Sequence, residues 1–365
     1  MFGTSYHGKR VLVTGHTGFK GSWLALWLHE LGAQITGLAL PPSTNPSHFG
    51  LIRLEDLVNH LEGDIRDLET VRRAFTKARP EIVFHLAAQP LVHDSYQDPK
   101  TTFDTNIGGT VNILEAIRHC PTVEAAVIIT SDKCYENQEW VWGYRENDSM
   151  GGNDPYSASK GATEIVCSSY LRSFFRRNGL GPHVGVATAR AGNVIGGGDW
   201  ATDRIIPDCV RALSTDRPIL IRNPEATRPW QHVLDPIAGY LLLAVRLVDD
   251  REKYCGAWNF GPQTTRQISV RELASRFVAA WGAGSIQTPN SNERSFYEAR
   301  LLHLNIDKAV SALQWQPVLE GATAIDWTAA WYKFWHLAKE NLRELSVSQI
   351  HQFVKTAQQT RISLL

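Results

Sequence analysis

Short apolar runs alternate with helix-length stretches through the first half of the chain. The runs Val11 to Thr14, Gln34 to Ala39, Ile82 to Leu86, Ala125 to Thr130 and Val184 to Arg190 have the length and composition of buried strands. Residues 59–65 add a further strand that ends at Asp64. The segments between these runs are long enough for βαβ crossovers, so the pattern predicts an α/β fold built on a doubly wound parallel sheet. After Arg190 the pattern breaks into Gly196-Gly197-Gly198 and prolines at 207, 218, 224 and 229, followed by helix-like stretches from Val270 to Trp281 and Ala322 to Leu337. A smaller α/β lobe is expected there. The larger unit is expected to span residues 1–190, with about 231–255 returning to it, and the smaller lobe 191–230 and 256–365. The polar stretch from Asn341 to Leu365 reads as a terminal helix without chemistry.

Composition narrows the class of protein. A chain of 365 residues with 43% hydrophobic content can bury a substantial core and exceeds the usual size of one domain. Its formal net charge is zero, which gives no support to bulk attraction for nucleic acid or anionic membrane. Any phosphate must then be met by individual arginines. Cys120, Cys134, Cys167, Cys209 and Cys255 are scattered and odd in number. That argues against a disulfide framework and a zinc site, and fits a reducing cytoplasm. The N-terminal residues lack the apolar core of a signal peptide, and the run Ile237 to Val245 is too short to span a bilayer. A soluble protein with no metal is expected.

Two segments carry candidate chemistry. After the first strand come Gly15-His16-Thr17-Gly18-Phe19-Lys20-Gly21 and then the helical run from Ser22 to Leu28. Strand, glycine turn and helix in that order present backbone N–H groups to a pyrophosphate. Gly15 permits the tight turn, Gly18 the close approach of phosphate, and Gly21 the packing of helix on strand. The spacing is Gly-x-x-Gly-x-x-Gly rather than the commoner Gly-x-Gly-x-x-Gly, and a glycine trio alone also suits an ordinary turn. In the same half, Asp64 with Ile65 at a strand end can offer a carboxylate to an adenine amino group, or serve as a plain turn acid. Leu86, Ala87 and Ala88 close another strand in residues small enough to let a flat ligand approach.

The second segment is Asp154-Pro155-Tyr156-Ser157-Ala158-Ser159-Lys160. Proline suits a first helical turn and the short polar residues before it suit a cap, so a helix is expected from Pro155 toward Arg176. Tyr156 and Lys160, four apart, then share one face. An ammonium there can help ionise a phenol whose ordinary pKa is about 10. An ordinary amphipathic helix with an exposed lysine is the plain alternative.

The glycine loop, His85-Leu86-Ala87-Ala88, Asn106-Ile107-Gly108-Gly109-Thr110, and Tyr156 with Lys160 together resemble the extended short-chain dehydrogenase/reductases that act on nucleotide sugars. Within them, three segments are similar to the cytidine branch of the 4,6-dehydratases: residues 130–137, the stretch Gly192 to Trp200, and Arg228-Pro229-Trp230-Gln231-His232-Val233. The likeness runs from about residue 8 to about residue 335. It implies a Rossmann fold, NAD as cofactor, a CDP-linked glucose as substrate and a homodimer built partly on the helix bearing Tyr156. It further implies a place in bacterial deoxysugar synthesis, which includes the O-antigen of lipopolysaccharide. NAD-binding residues would be Gly15 to Gly21, Asp64, Ile65, Leu86, Ala87, Ala88, Asn106, Tyr156 and Lys160.

The resemblance also implies roles for Ser131, Asp132, Lys133, Tyr156 and Lys160. Tyr156 takes the proton from the hydroxyl on carbon 4, aided by Lys160 and the nicotinamide charge, and Ser131 bonds the forming ketone. Asp132 is the acid for water leaving carbon 6, unless it merely caps its loop. Lys133 stands where the thymidine-nucleotide enzymes have glutamate as the carbon 5 base. To act as a base it must be neutral; the alternatives are an electrostatic stabiliser or a base elsewhere. Ser131, Asn193, Arg204, Arg228, Glu298 and Arg300 are candidate substrate-binding residues, with Arg204 and Arg222 indistinguishable by sequence. Leu38-Ala39-Leu40 offers neither the acid of a typical NAD site nor the arginine of an NADP site, while Lys20 offers a charge that a 2'-phosphate would seek. A 4-epimerase of the same family, and a noncatalytic dinucleotide-sensing scaffold, are the competing functions.

Overall fold

A computed structural model describes residues 2–176, 178–263, 268–288 and 301–360. Seven strands form one sheet: β1 (Arg10–Thr14), β2 (Gln34–Ala39), β3 (Asn59–Glu62), β4 (Ile82–His85), β5 (Ala125–Ile129), β6 (Gly185–Arg190) and β7 (Gly256–Asn259). They lie in the order β7-β6-β5-β4-β1-β2-β3, and every neighbouring pair is parallel. The chain therefore winds outward from β1 in one direction and then from β4 in the other. Between those two strands lies the switch point where such sheets carry their ligands.

Alternation along the strands divides the core into two layers. Val11 and Val13 of β1 join Phe84 and Val127 under one face. On the other, Leu12 joins Val83, Ala126 and Ile128. The first face is covered by α1 (Phe19–Glu30) and α5 (Leu234–Asp249), and the second by α2 (Leu68–Ala78), α3 (Gly109–Arg118) and α4 (Pro155–Tyr170). Gly21 through Leu28 of α1 are all buried, because the C-terminal helix α8 (Leu342–Gln359) closes the side that would otherwise meet water. Trp27 meets Phe353 edge-on at 5.5 Å, and Arg343 Nε donates to the Ile52 carbonyl at 2.6 Å. The tail is thus part of the core.

The second lobe contains α6 (Val270–Trp281), α7 (Gly321–Ala338) and two-residue strand pairs, among them Thr227–Arg228 against Ile268–Ser269. Two sequence expectations change. The large sheet takes in Gly256–Asn259, so the return to the first unit extends past residue 255. Those four residues include a glycine, lack a period-two pattern and hold only one β-favouring side chain, Trp258. They are a strand because β6 offers them an edge. Strand β3 ends at Glu62 rather than at Asp64, since Gly63 N donates to the Ala39 carbonyl and the chain then turns.

Candidate active site

The glycine loop leaves β1 with Gly15 at φ +75°. A Cβ on Gly15 would stand 2.6 Å from the Ala87 amide nitrogen, and one on Gly21 would stand 2.1 Å from the Gly15 carbonyl oxygen. Both contacts require glycine. Gly18 caps α1 without any side-chain bond, so the amides of the first turn are left for an anion. The opposite wall is Leu86, Ala87 and Ala88, held by Thr14, whose hydroxyl accepts from the Ala87 amide at 3.3 Å. This cradle fits a dinucleotide pyrophosphate. At the end of β2 no acid appears. Thr17 Oγ1 donates instead to the Leu40 carbonyl at 2.8 Å, and His16 shares a hydrogen bond with His60 at 2.7 Å. Burial, then His60, hold His16 at about 3, so the His16 ring is neutral.

The other adenosine and wall candidates are placed as follows. Asp64 is gripped by Arg66, whose Nε and Nη2 donate to Oδ2 at 2.8 and 2.6 Å. Those hydrogen bonds lower its pKa. Ile65 is buried against Gly109. Asn106 is buried, and its amide is spent on Gln89 and on Ser159 Oγ at 2.8 Å. It fastens the pocket wall to α4.

Asp154 caps α4 by accepting from Ser157 N at 2.9 Å, and Pro155 opens it. This places Tyr156, 9% exposed, and Lys160, 6% exposed, under the end of β5. Lys160 Nζ donates to the Ile129 carbonyl at 3.4 Å. Residues 131–134 form the facing turn, and Ser131 caps it: Oγ accepts from Lys133 N at 3.2 Å and donates to Asp132 Oδ1 at 2.9 Å. Asp132 is therefore not the cap. It is buried, and Asn193 Nδ2 donates to its Oδ2 at 3.4 Å. A Cβ on Gly192 would lie 1.8 Å from that same oxygen, so the carboxylate rests directly on the backbone after β6. Lys133 is half-buried, and its ammonium has no hydrogen bond or ion pair among the described residues.

Burial pushes the Tyr156 phenol up to about 12; its hydrogen bond with Ser131 and the charge of Arg204 oppose this, while Asp132 and Asp154 add to it. The charge of Arg204 thus favours the phenolate, and Lys160 Nζ lies against the Ile129 carbonyl on the same face of α4. Burial lowers Lys160 to about 8 against the pull of Glu164. Lys20, half-buried overall, is also lowered to about 8 by burial of its ammonium, then by Lys160 and Arg204. Asp132 and Asp199 act on it in the opposite sense. Lys20 thus shares the electrostatic field of Lys160, Arg204, Asp132 and Asp199. Nothing in a single sequence marks that setting, which follows from its place on the first turn of α1.

Among the substrate candidates, Arg204 Nη1 donates to Asp199 Oδ2 at 2.8 Å and lies near Tyr156. Arg222 pairs with Asp203 at 3.7 Å on an exposed surface, which separates the two arginines. Arg228 is half-buried, and its Nη1 donates to the Thr227 carbonyl at 2.8 Å. Glu298 and Arg300 lie outside the described residues. Trp200 packs edge-on against Tyr332 and Trp335 in the core.

The fate of Lys160 gives a measurable consequence. Unfolded, Lys160 keeps its proton up to about pH 10.5; folded, it releases it near 8. Unfolding in that window takes up a proton, so the burial penalty is complete below pH 8 and fades as pH rises. Lys160→Met is expected to raise stability below pH 8 by about 3 kcal/mol. The gain should disappear toward pH 10.5 in urea titrations; a constant difference across the window would contradict this.

A parallel sheet with a pyrophosphate cradle and a Tyr-Lys pair at its switch point defines a dinucleotide-dependent enzyme of the doubly wound class. Residues 11–259 match the NAD dependent epimerase/dehydratase family, and the chain belongs to it. It is 47% identical over 346 residues to the CDP-glucose 4,6-dehydratase of Salmonella typhimurium, covering 93% of this chain and 96% of that one. Solved structures are similar as well. The UDP-glucose 4-epimerase of Thermus thermophilus in complex with NAD superposes with a TM-score of 0.73 at 25% identity, covering 89% of this chain and 99% of that one. The epimerase Mth375 of Methanothermobacter thermautotrophicus gives 0.77 at 24% identity, covering 93% and 96%. The cofactor of this chain is NAD.

Proposed function

We propose that this chain is a hydro-lyase that converts CDP-glucose to CDP-4-dehydro-6-deoxyglucose and water. The observation that carries the reading is the turn of residues 131–133 facing Tyr156, in a chain 47% identical to a CDP-glucose 4,6-dehydratase. An epimerase needs no acid and base for losing water. NAD, held by the Gly15 to Gly21 loop and the Leu86-Ala87-Ala88 wall, would supply the hydride acceptor and donor that the reaction needs.

The residues of the chain do the rest. Tyr156 removes the proton of the carbon 4 hydroxyl, its ionisation favoured by Arg204, and Ser131 bonds the ketone oxygen. The ketone acidifies carbon 5. Lys133 takes that proton, Asp132 gives one to the carbon 6 hydroxyl so that it leaves as water, and Lys133 returns its proton to carbon 5 when hydride reaches carbon 6. Asn193 and Arg228 hold the nucleotide pyrophosphate, a guanidinium group being a natural donor to phosphate oxygens.

Incubating the purified protein with NAD and CDP-, dTDP-, UDP- and GDP-sugars tests the reading. Loss of water with a 4-keto product from CDP-glucose is expected; epimerised sugar without loss of water, or no turnover of any sugar, would overturn it.

A homodimer is the proposed assembly. Ile165 is 62% exposed on α4, a helix that packs against Val92–Gln97 and Pro99–Phe103, which expose Tyr96 and Phe103. Together these give an apolar face suited to a two-fold contact. Light scattering should return about twice the chain mass; a monomer would refute it. Among the described residues no helix is long and apolar enough to cross a membrane. A cytoplasmic site of action is proposed from the scattered free cysteines.

A further inference from the structure

One buried ion pair holds both ends of the turn that carries Ser131, Asp132 and Lys133. Glu164 lies one helical turn beyond Lys160 on α4, and Arg190 ends β6. Arg190 Nη2 donates to Glu164 Oε2 at 2.8 Å, with both side chains 4% exposed. Upstream of the turn, the Thr130 hydroxyl donates to Glu164 Oε1. Downstream, Arg190 Nη1 donates to the Tyr135 hydroxyl at 2.6 Å, and that hydroxyl donates to Asn259 Oδ1 at 2.8 Å. The guanidinium also lies 4.8 Å from the centre of the Tyr135 ring and bonds the Glu146 carbonyl at 3.1 Å. A further donor, Thr188 Oγ1, completes Glu164 Oε2 at 2.7 Å. Close packing adds to this: a Cβ on Gly161 would stand 3.1 Å from the Cys134 carbonyl oxygen, so α4 and the turn touch backbone to backbone.

A buried pair of this kind contributes little net stability, because removing two charges from water offsets much of their attraction. What it supplies is position. We propose that Glu164 and Arg190 are positioning residues for the dehydration, fixing the Ser131-Asp132-Lys133 turn against the helix that bears Tyr156 and Lys160. The inference rests on the reaction proposed above, and neither residue touches the sugar. Glu164 has a second effect through charge, since it favours the protonated form of Lys160. The other groups whose charges couple to Lys160 are Cys167 on α4, Cys134 on the turn, Lys20 on α1 and His85 on β4.

Two variants test it. The double variant Glu164→Met with Arg190→Met removes both charges and keeps apolar volume. It is expected to keep its melting temperature and KM within a small margin while kcat falls about 100-fold, the scale of a misplaced catalytic group. Wild-type kcat in a folded double variant would overturn the proposal. Glu164→Gln keeps the shape and removes the charge. The alkaline edge of its kcat profile is expected to move to lower pH, because Lys160 loses its proton sooner; an unmoved edge would overturn the proposal even if the double variant fails to fold. Wild-type protein run in parallel separates the two readings. If it turns over another sugar of the panel in place of CDP-glucose, the proposed substrate fails and the same variants are measured with that sugar.

Discussion

Tyr156→Phe is expected to lower kcat by about three orders of magnitude while leaving KM for the sugar and the melting temperature nearly unchanged. The substitution removes one oxygen from a ring that is 9% exposed and already packed. Phenylalanine fills the same volume, so no cavity opens and the fold has no reason to suffer. The hydrogen bond between the Tyr156 and Ser131 hydroxyls is lost, yet Ser131 still donates to Asp132 Oδ1 at 2.9 Å. What disappears is the acceptor for the carbon 4 proton. Because that proton moves in the transition state, the cost falls on turnover and not on binding. Steady-state kinetics with CDP-glucose checks it. Retention of more than a tenth of wild-type kcat would remove Tyr156 from the role of base.

Lys133→Met separates the second half of the reaction from the first. Methionine has nearly the reach of lysine and no proton-accepting nitrogen. Tyr156, Ser131 and Lys160 are untouched, so oxidation at carbon 4 should proceed, while exchange of the carbon 5 proton with deuterated solvent and release of water should fall by about a hundredfold or more. Mass spectrometry of recovered sugar reads both. Exchange at the wild-type rate would exclude Lys133 as the base and leave it an electrostatic role.

The turn that carries Lys133 shows how far sequence reaches. Strands β1, β2, β4, β5 and β6 are visible as apolar runs because a doubly covered parallel sheet buries both faces. The cap at Asp154 and the proline after it announce α4 from local chemistry alone. Contacts between distant segments leave no such trace. Arg204 and Arg222 look alike until the first is found on Asp199 near Tyr156 and the second on exposed Asp203. Lys20 belongs to the glycine loop by position and to the field of Lys160, Arg204, Asp132 and Asp199 by charge. Gly192 is one more loop glycine until Asp132 is seen resting on it. Strand β7 escapes notice because its pairing with β6, and not its own composition, makes it a strand.

The terminal helix gives the same lesson in packing. Its polar sequence suggests no task, yet Phe353 closes over Trp27, and Ser346 lies 3.2 Å from His48 Nε2. Those contacts close over α1, the helix that follows the glycine loop. Local propensity could forecast the helix, but its partner lies some three hundred residues upstream.

The central claim is that two electrons leave carbon 4 of a hexose and return to carbon 6 of the same molecule. CDP-glucose deuterated at carbon 4, turned over by the purified protein with NAD, tests it directly. The account requires the deuterium to appear on carbon 6 of the 4-keto product. Deuterium lost to solvent, or recovered at carbon 4, would contradict it.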